Sequence, residues 1–78
     1  MTFTAADRAR ITHKVIHDQE SWRGMRGGLR CEVWLLSERE QGSQVQWRLS
    51  VPGDTKTGSA GTVYDALQAM ERASRPER

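Results

Sequence analysis

From Leu29 to Val51 apolar and polar side chains alternate with a period of two, the signature of half-buried strands. In the first run, residues 29–37, Leu29, Cys31, Val33 and Leu35 share one face, and Arg30, Glu32, Trp34 and Leu36 share the other. In the second, residues 44–51, Val45, Trp47, Leu49 and Val51 lie together, opposite Gln44, Gln46, Arg48 and Ser50. The polar stretch Glu38–Ser43 between them reads as a hairpin loop. A slip of one residue would expose every apolar side chain, so the register is strongly constrained. The register that sets Leu35 against Val45 also pairs Val33 with Trp47, Cys31 with Leu49 and Leu29 with Val51. On the other face it sets Glu32 against Arg48 and Trp34 against Gln46, so opposite charges also meet.

Flanking segments carry a different period. Residues 4–21 read as a helix, with Thr4 as cap and Asp7 three positions on as a short capping box. Ile11, Val15 and Trp22 fall on one helical stripe. A strand over 11–17 is the alternative, because Ile11, His13, Val15 and His17 also alternate with Thr12, Lys14 and Ile16. Ala5, Ala6 and Ala9 favour the helix. The glycine-rich stretch 23–28 reads as a loop. Pro52-Gly53 breaks the second strand, and a short third strand fits around residues 55–59. Thr62 then caps a helix over 63–74, with Val63, Leu67, Met70 and Ser74 on one stripe, Ala66 and Ala73 beside it, and Pro76 as the stop. The pattern predicts one α+β domain over residues 1–78. It has an N-terminal helix, an antiparallel β-hairpin or three-stranded sheet, and a C-terminal helix packed on the sheet.

Composition adds a constraint. A 78-residue chain buries little core, so it needs help from a staple or a partner. Cys31 is the single cysteine, which excludes an internal disulfide and keeps both a monomer and a homodimer in view. Three tryptophans argue for an ordered domain. No stretch is apolar enough for a membrane span or a secretory signal, and a lone cysteine fits a reducing cytoplasm. The net charge of +2 is gathered toward the N-terminus. Residues 1–30 hold six basic side chains against three acidic ones, and the remainder holds six against seven. Ten of the twelve cations are arginine, whose planar fork suits carboxylates and phosphates.

Candidate chemistry is sparse. His13 and His17 stand at metal spacing on a helix, but further ligands are not evident, so both read as solvated surface histidines and no metal or cofactor is expected. Cys31 sits mid-strand, where a thiol is buried and inert. Gly53 and Gly58 have the glycine spacing of a phosphate loop, yet Ser59 and Ala60 follow where lysine and a hydroxyl residue are needed. No nucleophile stands beside a base, so a non-enzymatic binding protein is expected.

The expected binding surface is the second face of the hairpin, with Arg30, Trp34, Leu36 and Arg48, joined by the adjoining loop through Trp22, Arg23 and Arg26. Tryptophan beside arginine is a hot-spot composition. The alternative is that the N-terminal helix crosses this face and buries Trp34 and Leu36. The closing helix, Thr-Val-Tyr-Asp-Ala-Leu-Gln-Ala-Met from Thr62 to Met70, together with the amphipathic hairpin, resembles small proteins of phages and mobile elements over residues 29–74. Among these the chain looks most like the anti-CRISPR proteins. That resemblance implies a single non-enzymatic domain that blocks a CRISPR effector complex by protein–protein contact in the host cytoplasm. The weakly basic balance departs from inhibitors that imitate DNA with acidic surfaces. The element order also resembles a double-stranded-RNA-binding domain, which implies a nucleic-acid-binding module. There the basic cluster opening the last helix is replaced by Gly58–Thr62, with Lys56 alone nearby.

Overall fold

Two β-turns and two capped helices organise the chain. The computed structural model describes residues 1–36 and 44–75. The loop expected at 38–43 and the stop at Pro76 lie outside them. Helix α1 spans Ala5–Thr12 and continues as a π-helical turn over His13–His17. Strands β1 (Trp22–Arg26), β2 (Leu29–Leu36), β3 (Gln44–Val51) and β4 (Asp54–Ala60) follow, and helix α2 (Val63–Ala73) closes the chain. The strands form one antiparallel meander in the order β1-β2-β3-β4. The α+β class and the helix-on-sheet packing are as expected, but the sheet has four strands rather than two or three.

The central hairpin takes the register expected from its apolar faces. Cys31 faces Leu49, Val33 faces Trp47, and Leu35 faces Val45. Both helices begin on the caps read from sequence. The Thr4 hydroxyl accepts from the Asp7 amide at 3.0 Å, and Asp7 Oδ2 accepts from the Thr4 amide at 3.1 Å. The Thr62 hydroxyl accepts from the Asp65 amide at 3.0 Å.

Two expectations need correction. The segment 23–28 is mostly strand rather than loop, because Trp22–Arg26 pairs fully with Leu29–Val33. Gly27 and Gly28 make the turn, with φ of 60° and 78°, a left-handed pair that glycine enters at little steric cost. The N-terminal helix ends at His17 rather than at residue 21, since Gln19 turns the chain with φ of 56°. Trp22 therefore lies on β1 and outside any helical stripe. The short strand expected around residues 55–59 is present, and it runs one residue further at each end as the edge strand Asp54–Ala60. Gly53, with φ of 79°, fits the second central position of a turn in which proline pre-sets the first.

Strand parity decides which side chains form the core. Trp22, Cys31, Val33, Val45, Trp47 and Leu49 point to one face and are buried there. Ile11, Val15, Val63, Ala66, Leu67 and Met70 cover them from the two helices, so α1 and α2 lie on the same side of the sheet. Phe3, ahead of α1, is also buried and meets Trp22 edge-on with ring centroids 6.1 Å apart. Two glycines on the edge strands make room for the two core indoles, Gly24 beneath Trp22 and Gly58 beneath Trp47. Cys31 is buried, and burial pushes its thiol above the ordinary range, which suits an inert core group.

A polar clamp ties β1 to α1. Arg26 donates from Nη2 to Asp7 Oδ1 at 2.8 Å and from Nε to Asp7 Oδ2 at 3.1 Å, a two-pronged charge-assisted pair. The guanidinium, aided by the Thr4 amide, holds the Asp7 carboxyl far below the usual carboxylate range. A carboxyl lowered in the folded state adds stability that is complete above its unfolded pKa, about 3.9, and fades as pH falls toward the folded value. Asp7→Asn is therefore expected to lower the urea midpoint at pH 7. The gap from the parent should shrink on acidification below about pH 4, near the ordinary aspartate pKa. An equal gap at pH 7 and pH 3 would show that the charge contributes nothing.

Candidate functional site

The face of the sheet turned away from the helices is built by the other strand parity. Cross-strand register arranges it in rows. Arg23, Glu32, Arg48 and Thr57 form one row across all four strands. Trp34, Gln46 and Ser59 form the next, and Leu36 faces Gln44 beyond it. On the other flank stand Met25, Arg30, Ser50 and Thr55.

Glu32 is the electrostatic centre of this face. Its Oε2 lies 3.5 Å from Arg23 Nε, and its Oε1 lies 3.3 Å from Arg48 Nη1. These distances exceed the roughly 2.7–2.9 Å of tight charge-assisted bonds. The Arg23 side chain is 75% exposed and that of Arg48 51%. Exposed pairs of this kind contribute little stability, so the arginines are positioned without being consumed. The Arg48 guanidinium also stands 5.7 Å from the centre of the Trp34 ring, within cation–π range. Ser21, Arg23, Glu32, Trp34 and Arg48 line a shallow depression of about 300 Å³. One wall is aromatic, two are cationic, and an acceptor sits at the base. Its groups offer an aromatic surface for stacking at Trp34 and guanidinium donors for a carboxylate at Arg23 and Arg48.

Five of the seven expected contact residues meet on this face: Arg23, Arg30, Trp34, Leu36 and Arg48. Trp34 is half-buried among its strand neighbours, and Leu36 is exposed. Among the described residues no helix covers it, which resolves the question of whether α1 crosses this face. Trp22 and Arg26 are corrections. Both lie on the helix side of the sheet, because pairing of Trp22 with Val33 fixes the parity of β1. Trp22 is buried in the core, and Arg26 is held by Asp7 while standing 5.4 Å from the Trp22 ring centre. Glu32 stands on this face opposite Arg48, as the alternation of β2 predicts. Met25 is exposed on the same face but on a strand rather than in a loop, and the signal for that strand is the Gly27-Gly28 pair, which marks a two-residue hairpin turn and extends the alternation back to Trp22.

Comparison of the chain with known protein families, with curated proteins and with solved structures finds no match. No helix among the described residues is long and apolar enough to cross a membrane.

Proposed function

We propose that this protein is a non-enzymatic binding module that acts through its open sheet face, in the manner of a phage-type anti-CRISPR inhibitor. The face docks on a CRISPR effector subunit in the host cytoplasm and blocks it by protein–protein contact. The observation that carries the reading is the group Trp34–Arg48–Glu32–Arg23, an aromatic anchor held beside two exposed guanidinium groups on an uncovered sheet. Tryptophan and arginine dominate interface hot spots. Three arginines against one glutamate give the face a modest positive balance, which suits an acidic or mixed protein patch. The resemblance in form to small inhibitors of mobile elements supplies the effector as partner.

Nucleic acid is the second reading, favoured by Arg23, Arg30 and Arg48 standing on one face. Glu32 weighs against it, because it sets a carboxylate among these arginines that repels phosphate. A panel of purified CRISPR effector complexes, tested by pull-down, is expected to yield at least one that retains the protein and loses target binding or cleavage. Gel shifts with duplex and single-stranded nucleic acid are expected to show no complex at physiological salt. A salt-sensitive shift, weakening steeply as salt rises, would replace the inhibitor reading with the nucleic-acid one. Light scattering reports whether the face is free: a stable homodimer buried on Trp34 would leave no surface for another partner.

A further inference from the structure

His13 and His17 lie on the helix side of the molecule, remote from the open sheet face. Their spacing alone lacks a third ligand, and the π-helical turn supplies it. The Asp18 amide donates to the His13 carbonyl at 3.0 Å, an i to i+5 closure wider than that of the α-helix. More residues per turn bring positions 13, 17 and 18 close to one line along the helix. The two imidazoles stack with centroids 4.4 Å apart and planes within 18°. The Asp18 carboxylate lies against both, with Oδ1 3.1 Å from His17 Nδ1 and Oδ2 3.5 Å from His13 Nδ1. One ligand atom from each of the three residues falls within 4.8 Å of the others.

We propose that His13, His17 and Asp18 form a binding site for a divalent ion of the zinc class, with water completing the coordination. Two imidazole nitrogens and one carboxylate oxygen are a donor set that suits zinc, nickel and copper over magnesium or calcium. Metal–ligand distances of about 2.0–2.2 Å require ligand atoms about 3.3 Å apart around a tetrahedral ion. All three side chains are exposed, so the imidazoles are free to leave their stack and swing their nitrogens toward one ion without disturbing the core. The position favours a cation twice over. It is the C-terminal end of the helix, where unsatisfied carbonyls carry partial negative charge. The neighbouring Lys14 ammonium is drawn to Glu20 at 3.0 Å. π-helical turns recur at functional sites because they re-aim side chains in this way.

The chain contains two histidines, so imidazole resonances report on this site alone. Titration of zinc chloride into the full, untagged chain, followed by calorimetry, is expected to show one saturable site per chain. His13→Ala and His17→Ala are each expected to weaken binding at least tenfold, and Asp18→Asn several-fold, with circular dichroism unchanged. Magnesium chloride is expected to leave the imidazole signals in place, whereas zinc shifts both. Absence of saturation in the micromolar range would overturn the site. So would unchanged zinc binding in the His13→Ala/His17→Ala double variant, or zinc-induced shifts confined to other residues. In any of those cases the cluster is a carboxylate hydrogen-bonded to His17 and lying beside His13, and nothing more.

Discussion

Gly58→Ala is expected to destabilise the domain by about 2–3 kcal/mol, at the upper end for overpacking a core. A β-carbon at position 58 would stand 2.6 Å from Trp47 Cζ2, 2.7 Å from Cε2 and 2.8 Å from Nε1. Those distances are far inside van der Waals contact. The indole cannot yield, because it is a rigid bicycle, only 8% exposed, within the core beneath the helices. Strand β4 must therefore lift from β3 at the Trp47–Gly58 pair, which breaks the edge of the sheet. A chain of this length holds roughly 4–12 kcal/mol of folding free energy, so the loss is a large share. The companion Trp47→Ala is expected to cost about 3–5 kcal/mol through the cavity it leaves. The double variant should cost clearly less than the sum, because the new methyl occupies part of the vacated space. Urea unfolding followed by circular dichroism measures all three. Additive losses would mean that the two residues do not share this contact. Gly24 lies two residues along the same strand from Trp22, and an added β-carbon there would meet Cζ2 at 2.7 Å, so Gly24→Ala is also expected to destabilise the domain, by pushing the indole out of its place in the core.

Trp34→Ala is expected to do the opposite of Trp47→Ala. The domain should remain folded, with a change in stability below about 1 kcal/mol, as for surface positions away from the core. Binding to the effector retained in the pull-down should fall by at least about thirtyfold, the equivalent of a hot-spot loss of 2 kcal/mol. The two indoles belong to neighbouring strands and face opposite sides of the same sheet. Trp34 pairs across from Gln46, while Trp47 pairs across from Val33 in the core. Arg48→Ala should act in the same direction as Trp34→Ala with a smaller effect, since it removes one guanidinium and leaves the aromatic wall. Glu32→Gln should remove the one negative charge among Arg23, Arg30 and Arg48 and raise any non-specific attraction to phosphate. If Trp34→Ala unfolds the chain, the indole is a structural residue. If it leaves binding intact, the contact surface lies elsewhere.

That these tryptophans face opposite sides of the sheet was legible in the sequence, because alternation over eight residues on each side of the hairpin leaves one register that buries the aliphatic pairs; that no helix covers Trp34 among the described residues was not. The observed pairing of Val33 with Trp47 and Trp34 with Gln46 follows from that alternation. Trp22 is the counter-example. It sits at the start of a five-residue strand interrupted by Gly24, beside a segment whose glycines read as loop, and nearby Ile11 and Val15 suggested a helical stripe instead. Arg26 went astray with it.

Local sequence determined the caps at Thr4 and Thr62, the apolar stripe of α2 and the face-by-face pairing of β2 with β3. Each of these is settled by neighbours within a few positions, or by a pattern long enough to admit one solution. Tertiary structure alone decided the parity of β1, the choice of both helices to lie on one side of the sheet, and the meeting of Asp18 with two histidines. Those outcomes depend on partners supplied from elsewhere. β1 takes its facing from hydrogen bonds to β2, the helices go where Trp22 and Trp47 leave apolar surface to bury, and the π-helical turn departs from the period on which sequence spacing is read.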